Sequence, residues 1–275
     1  MFLEDITFSI QEMNLAYKIE RKSKKNSSFQ VIIRNGRRWS EVYIYDSGVA
    51  SVSSPFIDAP HVTSLLERAE LIFISSRSFL LMNMDVTKLA YFTSSRFKTL
   101  GMQICDGIIK KGFEKQLLDV IKFIDMLFLS TESALKINKM FKLQKMFLHS
   151  CPWNTKRSIA HNLHKWIMSL SFKACTVIVY QGIKTAYVAS GSTKTIVKRY
   201  RSKFYRSRNV IDLYGCENAF AGGYLSQYVQ NLPVQTCINC AFFCASTMAT
   251  QIGAHFPINR HEHMMTWYTE EQNDK

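Results

Sequence analysis

The chain carries two rhythms of apolar and polar positions. In FQVIIRNGRRWSEVYIYDSGVASVS, residues 29–53, short apolar runs flank Asn35 and Gly36, which predicts two strands joined by a tight turn. KSKKNSS, just before, predicts a loop or hairpin tip. From about Pro60 the rhythm changes. LIFIS (Leu71 to Ser75), the region from Thr99 to Ile104, MLFL and TVIVY (Thr176 to Tyr180) read as buried strands. FEKQLLDVIKFID, Glu132 to Phe141 and Lys156 to Met168 carry helical spacing, and so do Glu217 to Val229 and Val234 to Met248, parted by Asn231, Leu232 and Pro233. Strands alternating with helices predict an α/β domain over residues 59–275, its mostly parallel sheet covered on both faces, with residues 1–58 as a small β-rich flap.

At 275 residues and 47% apolar, the chain can bury a full core. No apolar run reaches the roughly 18 to 20 residues of a membrane span, and MFLEDITFSI carries Glu4 and Asp5 where a secretory leader is basic. A cytoplasmic protein with no membrane partner is therefore expected. The 7 cysteines read as reduced thiols. Cys237, Cys240 and Cys244 have a spacing that suits either a metal site or one helical face; without a second CxxC or a His pair at ligand spacing, the buried helical face is expected. His261 and His263 are expected in an exposed tail rather than on a metal.

Charge sharpens the picture. The formal net charge is +14, yet Ser133 to Ile211 contains no Asp or Glu and 16 Lys and Arg, leaving 19 basic against 21 acidic residues elsewhere. Within that span, VKRYRSKFYRSRNV sets Lys198, Arg199, Arg201, Lys203, Arg206 and Arg208 around Tyr200, Phe204 and Tyr205. Cations interleaved with rings suit phosphates and unpaired bases. The same composition also suits a solvated edge strand, where Lys and Arg discourage sheet-to-sheet pairing. Lys156, Arg157 and Lys194, with Arg21, Lys22, Lys24 and Lys25 near the N-terminus, extend the candidate polyanion surface. No zinc finger, basic zipper or clear helix-turn-helix signature is visible, so recognition of structured RNA by shape and phosphate is expected.

The stretch IDLYGCENAFAGGYLSQYVQNLP, residues 211–233, resembles the signature DTxGAGDAFxGGFL of the ribokinase-like carbohydrate kinases, most closely their adenosine kinase branch. The anchors are Asp212, Gly215, Ala219, Phe220, Gly222, Gly223 and Leu225. LERAELIFISSRSFLLM resembles the family's strand after a VEKA helix end, and IDMLFLSTESA resembles VDILFGNETEA. TVIVYQG and GAHFP are similar to the strand ending in TQG and to GCTFP, so the resemblance spans Ser40 to Pro257. The family's N-terminal double-glycine motif is not found, and the first half of the usual kinase is expected to be mostly missing. A ribokinase-like three-layer sandwich is implied.

The resemblance also implies what has changed. In the family, GAGD lets backbone N–H groups at a helix N-terminus surround the transferring phosphate, and its Asp is the general base. Here the motif reads Gly215, Cys216, Glu217, Asn218. An amide at Asn218 cannot take the proton, a loss worth on the order of 10²- to 10⁴-fold in rate. A Glu217 carboxylate about 4 Å from a phosphate charge opposes it by about 4 kcal/mol at an effective dielectric near 20, and it can act as an internal stand-in for that phosphate at the helix terminus. The magnesium-linked NxxE motif is replaced by Ser130 and Ser133, with Glu132 one place from the second carboxylate; a register shift rescues that Glu but not the Asn.

The expectation is therefore a protein with no catalytic residue, cofactor or metal, its scaffold reused to bind RNA. The ribosome or ribosomal RNA is the expected partner, with protein contacts on the ribosome, for a monomer that silences translation as a hibernation or dormancy factor. Two alternatives stay open: a residual adenosine kinase using ATP and Mg, and a pseudokinase acting through protein–protein contacts.

Overall fold

The structure, a computed structural model, describes residues 29–35, 38–44, 58–76, 84–109, 112–146, 156–171, 173–206 and 209–253. Arg21, Lys22, Lys24, Lys25, Arg208, the KSKKNSS tip, the residues of GAHFP after Gly253 and the two tail histidines lie outside the described residues. The chain divides into two compact units, Met1–Ala69 with Leu80–Asp85, and Glu70–Phe79 with Val86–Lys275.

In the first unit, β1 (Phe29–Asn35) and β2 (Arg38–Ile44) pair antiparallel from Phe29↔Ile44 to Asn35↔Arg38, the hairpin expected around Asn35. Helix α1 (Pro60–Arg68) places Pro60 in its first turn, where the missing N–H costs nothing, and Arg68 in its last turn, where it complements the helix dipole.

The second unit is built on six strands in the order β3-β4-β5-β6-β7-β8. They are β3 (Leu71–Ile74), β4 (Thr99–Ile104), β5 (Met126–Ser130), β6 (Thr176–Gln181), β7 (Thr185–Ser190) and β8 (Ile196–Arg201). The first four pair in parallel; β7 and β8 add antiparallel. Every residue of β5 is buried, as expected of a central strand covered on both faces. The connecting helices are α2 (Met84–Ser95), α3 (Phe113–Ile121), α4 (Thr131–Met140), α5 (Leu143–Met146) and α6 (Lys156–Leu170), followed after the sheet by α7 (Cys216–Tyr228) and α8 (Val234–Met248).

One sheet face, with Met126, Phe128, Ile178, Tyr180 and Val188, packs against α7 and α8 through Phe220, Tyr224, Ile238 and Phe242. Edge-to-face rings knit it together: Phe128 with Tyr224 at 5.4 Å and Phe220 with Phe242 at 5.4 Å. Helices α4 and α6 pack against the sheet strands. Helices α7 and α8 meet at Gly223, where an added Cβ would stand 2.8 Å from the Cys240 carbonyl oxygen and 2.9 Å from Cys244 Sγ. The three cysteines of CINCAFFC do lie on one helix, Cys237 and Cys240 in the core and Cys244 half-buried.

Five elements escaped the apolar pattern: α1, α2, α5, β7 and β8. The basic segment from Ile196 to Arg201 is an edge strand, with Lys198, Arg199 and Arg201 exposed.

Candidate functional site

The carboxyl ends of β4, β5 and β6 open toward the first turn of α7, the position where open α/β sheets bind ligands. Gly215 caps α7 in the left-handed region at φ 80°, which a residue with a Cβ rarely adopts. The turn before it is held by Asp212. Its Oδ1 accepts from Tyr214 N and its Oδ2 from Gly253 N, each at 3.0 Å, while Ile211 N and Asp212 N both donate to the Ala249 carbonyl at the end of α8. The signature aspartate thus fastens the loop to the neighbouring helix.

Glu217 sits in that first turn with its side chain turned inward. The hydroxyl of fully buried Tyr180, at the end of β6, donates to Glu217 Oε2 at 3.3 Å and accepts from Gln103 Nε2 at 3.3 Å. Gln103 belongs to β4, whose end is pinned by Ser76: Ser76 Oγ donates to the Gln103 carbonyl at 2.9 Å and accepts from Cys105 N at 2.7 Å. Burial raises the pKa of Glu217 above the ordinary carboxylate range; the Tyr180 hydrogen bond opposes this, and the charges of Glu132 and Asp106 add to it. Burial, and then the Glu217 charge, keep the Tyr180 phenol protonated, and burial pushes the Cys216 thiol up to about 12.

Ser130 and Ser133 serve each other. Ser130 Oγ caps α4 by accepting from Ser133 N at 3.1 Å, and the two hydroxyls lie 2.9 Å apart, with Ser133 fully buried. Glu132 is exposed in the same turn, and Asp106 pairs with Lys136 at 2.7 Å on the surface. Asn218 is exposed beside Glu217. The structure therefore gathers Gly215, Cys216, Glu217, Asn218, Ser130 and Ser133 around one sheet end, and adds Tyr180, Gln103 and Asp106, which the sequence pattern did not single out. The signal for Tyr180 was its place as the last residue of TVIVY, since strand ends in such sheets face the ligand crevice. Magnesium and ATP phosphates fit these residues poorly. Glu217 puts a carboxylate in the first turn of α7, where an anion would meet a like charge, and the two serines spend polar atoms on one another and the helix end.

The basic residues take a different place. Lys198, Arg199, Arg201, Lys203 and Arg206 are exposed along and after the edge strand, Arg157 is exposed on α6, and Lys194 is exposed in the β7–β8 turn. Tyr200, Phe204 and Tyr205 are half-buried against the core, with Phe204 edge-on to Phe243 at 5.4 Å and Lys184 Nζ 4.7 Å over the Tyr205 ring. The surface of this segment is cationic more than aromatic. The cations run along the sheet's flank, from Lys194 beside the start of β6 to Arg201, which pairs with Thr185 and so stands level with Gln181 at the sheet end that holds Tyr180 and Glu217.

The model of the pfkB carbohydrate kinase family matches residues 4–260, so the likeness begins well before Ser40. Among solved structures, the chain is similar to adenosine kinase from Schistosoma mansoni in complex with 2-fluoroadenosine, with a TM-score of 0.80 at 16% identity over 94% of this chain and 73% of that one. More of the enzyme is represented than the expected loss of its first half allows. Ribokinase from Giardia lamblia matches with a TM-score of 0.74 at 14% identity, over 97% of this chain and 80% of that one. Adenosine kinase from Anopheles gambiae, in complex with P1,P4-di(adenosine-5) tetraphosphate, matches with a TM-score of 0.72 at 17% identity, over 86% and 68%. With its ribokinase-like sheet, its glycine-capped α7 and a family match over most of its length, the chain belongs to the pfkB carbohydrate kinases.

Proposed function

We propose that this pfkB-family chain has given up phosphoryl transfer and uses its basic flank to bind structured RNA, with the ribosome as partner and translational silencing as one outcome. The observation that carries the first half is Glu217. Its carboxylate lies in the first turn of α7, hydrogen-bonded by Tyr180, and the resemblance to the kinase signature aligns Asn218 with the base of such kinases. The second half is supported by the span from Ser133 to Ile211, which holds no carboxylate and supplies α6, β6, β7 and β8. The competing reading is a nucleoside kinase, favoured by the likeness to adenosine kinases and by the retained Asp212 loop.

Two measurements on the full chain separate these readings. Incubation with ATP, Mg and adenosine should yield no AMP above the uncatalysed background; steady turnover returns the chain to the kinases. Sedimentation of cell lysate through sucrose should show the chain with ribosomes at low salt and released at high salt, as phosphate contacts demand. Migration as a free protein of 31.8 kDa at both salts rejects the ribosome. Arg199→Ala, Arg201→Ala and Arg206→Ala together should weaken binding to ribosomal RNA and lower its salt slope by roughly 0.7 to 0.9 for each phosphate no longer neutralised.

A further inference from the structure

A second concavity lies at the other end of the sheet from Glu217. Strand β7 runs antiparallel to β6, pairing Gln181 with Thr185 and Val177 with Ala189, so the β7–β8 turn stands beside the start of β6. Between this turn and α6 is an open basin of about 540 Å³, with His161 and Lys165 on the helix side and Ser192, Thr193 and Lys194 on the turn side. Its volume suits a ligand larger than a single ion. We propose that this basin binds a phosphate-bearing anion, and that in the full assembly the phosphate belongs to the RNA backbone.

Three features argue for it. First, α6 and the turn both fall in the span without Asp or Glu, so neither wall contributes a carboxylate to repel a phosphate. Ammonium, imidazole and hydroxyl groups are the donors a phosphate accepts from.

Second, the walls are fixed to one another. Buried His164 has Nε2 3.1 Å from the Cys175 carbonyl and Nδ1 2.9 Å from Thr195 Oγ1. A carbonyl only accepts, so Nε2 carries the proton, and neutral Nδ1 accepts from the Thr195 hydroxyl. The imidazole thereby ties α6 to the turn and to the loop before β6. The turn itself folds tightly on Gly191, at φ 126°, where a Cβ would collide with the Lys194 carbonyl. A site held this way loses little entropy on binding.

Third, the basin gathers cationic and imidazole side chains around one point. His161, with Nδ1 3.5 Å from Asn162 Oδ1, lies one helical turn from both Arg157 and Lys165. Burial first, then the charges of Lys165 and Arg157, depress its pKa, with the Asn162 contact opposing them. The groups around it are Arg157 and Lys165 on α6, neighbouring His164, and Lys194 from the turn. An anion here offsets those charges and favours the imidazolium. Binding should therefore raise the His161 titration midpoint and tighten as pH falls through it.

This inference rests on the proposed function only for the source of the phosphate. The test uses the full chain with labelled histidines, His161 being assigned through His161→Gln, followed by NMR at low salt with inorganic phosphate and separately with a short RNA hairpin. Both probes should move the His161 midpoint upward. The double variant Lys165→Ala/Lys194→Ala should abolish both shifts, weaken the hairpin by about tenfold and lower its salt slope by about 1 to 2, and Lys165→Arg/Lys194→Arg should restore them. If the hairpin binds wild type and the Ala pair with equal affinity and slope, and neither probe moves His161, the basin is not a phosphate site and the RNA contacts lie elsewhere on the flank. If phosphate moves His161 while no RNA binds, the basin stands as a site for a small phosphorylated compound and the RNA reading falls.

Discussion

Glu217→Gln isolates one charge while keeping its hydrogen-bond geometry, because the glutamine carbonyl oxygen can still accept from the Tyr180 hydroxyl now 3.3 Å from Oε2. The carboxylate sits in the first turn of α7, whose N-terminal end would otherwise attract an anion. A phosphate held by that turn would come within about 4 Å of the carboxylate, and at an effective dielectric near 20 the repulsion is about 4 kcal/mol. The variant should therefore bind ADP up to about 10³-fold more tightly than wild type at mildly alkaline pH, measured by calorimetry.

The pH dependence gives the sharper version. Burial raises the folded-state pKa of Glu217 above its unfolded value, so the folded chain holds a proton that the unfolded chain releases. Stability from this group is fully present below the ordinary glutamate value and is lost as pH rises through the raised one. Nucleotide affinity of the wild type should likewise improve as pH falls through the raised value, because protonation removes the opposing charge. Glu217→Gln should flatten the contribution of this site to both dependences, and its gain in stability over wild type should shrink toward acid pH. Equal ADP affinities at alkaline pH would refute the argument, since they would mean that Glu217 does not face a phosphate site.

Other outcomes follow from the packing. Gly223→Ala must push a methyl into the Cys240 carbonyl and should destabilise by about 1–3 kcal/mol despite its better helix propensity, whereas exposed Gly222→Ala meets nothing within 4 Å and should stabilise by up to about 1 kcal/mol; urea unfolding of both compares them directly. Ser130→Ala removes the α4 cap and strips buried Ser133 Oγ of its hydroxyl partner, for a loss of about 2 kcal/mol in the same assay. Asp212→Ala deletes two acceptor contacts that hold the 212–215 loop, and should cost about 2–4 kcal/mol, with faster amide exchange at Tyr214 and Gly253.

Much of the second unit was legible because its central strands are buried on both faces and α3, α4 and α6 are amphipathic. MLFL and TVIVY could hardly be anything but central strands, and Val234 to Met248 was predicted to the residue. The misses have physical reasons. Strand β8 alternates poorly: as an edge strand it buries only Val197 outright, so charge dominates its pattern. The β6–β7 and β7–β8 connections are too short and polar to separate β7 from its neighbours by periodicity. At the site, Gly215 to Asn218 could be found from the signature, but the Gln103–Tyr180–Glu217 chain joins three elements far apart in sequence, and no local pattern encodes it.

The placement of the cations bears on why they are there. Lys156 and Arg157 open α6, which has no acidic residue in its first turn, so both face the positive end of the helix dipole. Each such charge costs roughly 0.3–1 kcal/mol at an exposed end. Edge-strand protection accounts for Lys198, Arg199 and Arg201, where charge discourages strand addition. It does not account for a like-charged helix start, nor for Lys165 and Lys194 facing one basin with no carboxylate in either wall. A fold selected for its own stability would place Asp or Glu at such a helix start, as α4 does with Glu132. On the proposal that a polyanion offsets such charges, α6 and the β7–β8 turn, together with the edge strand, are where bound phosphate should be sought.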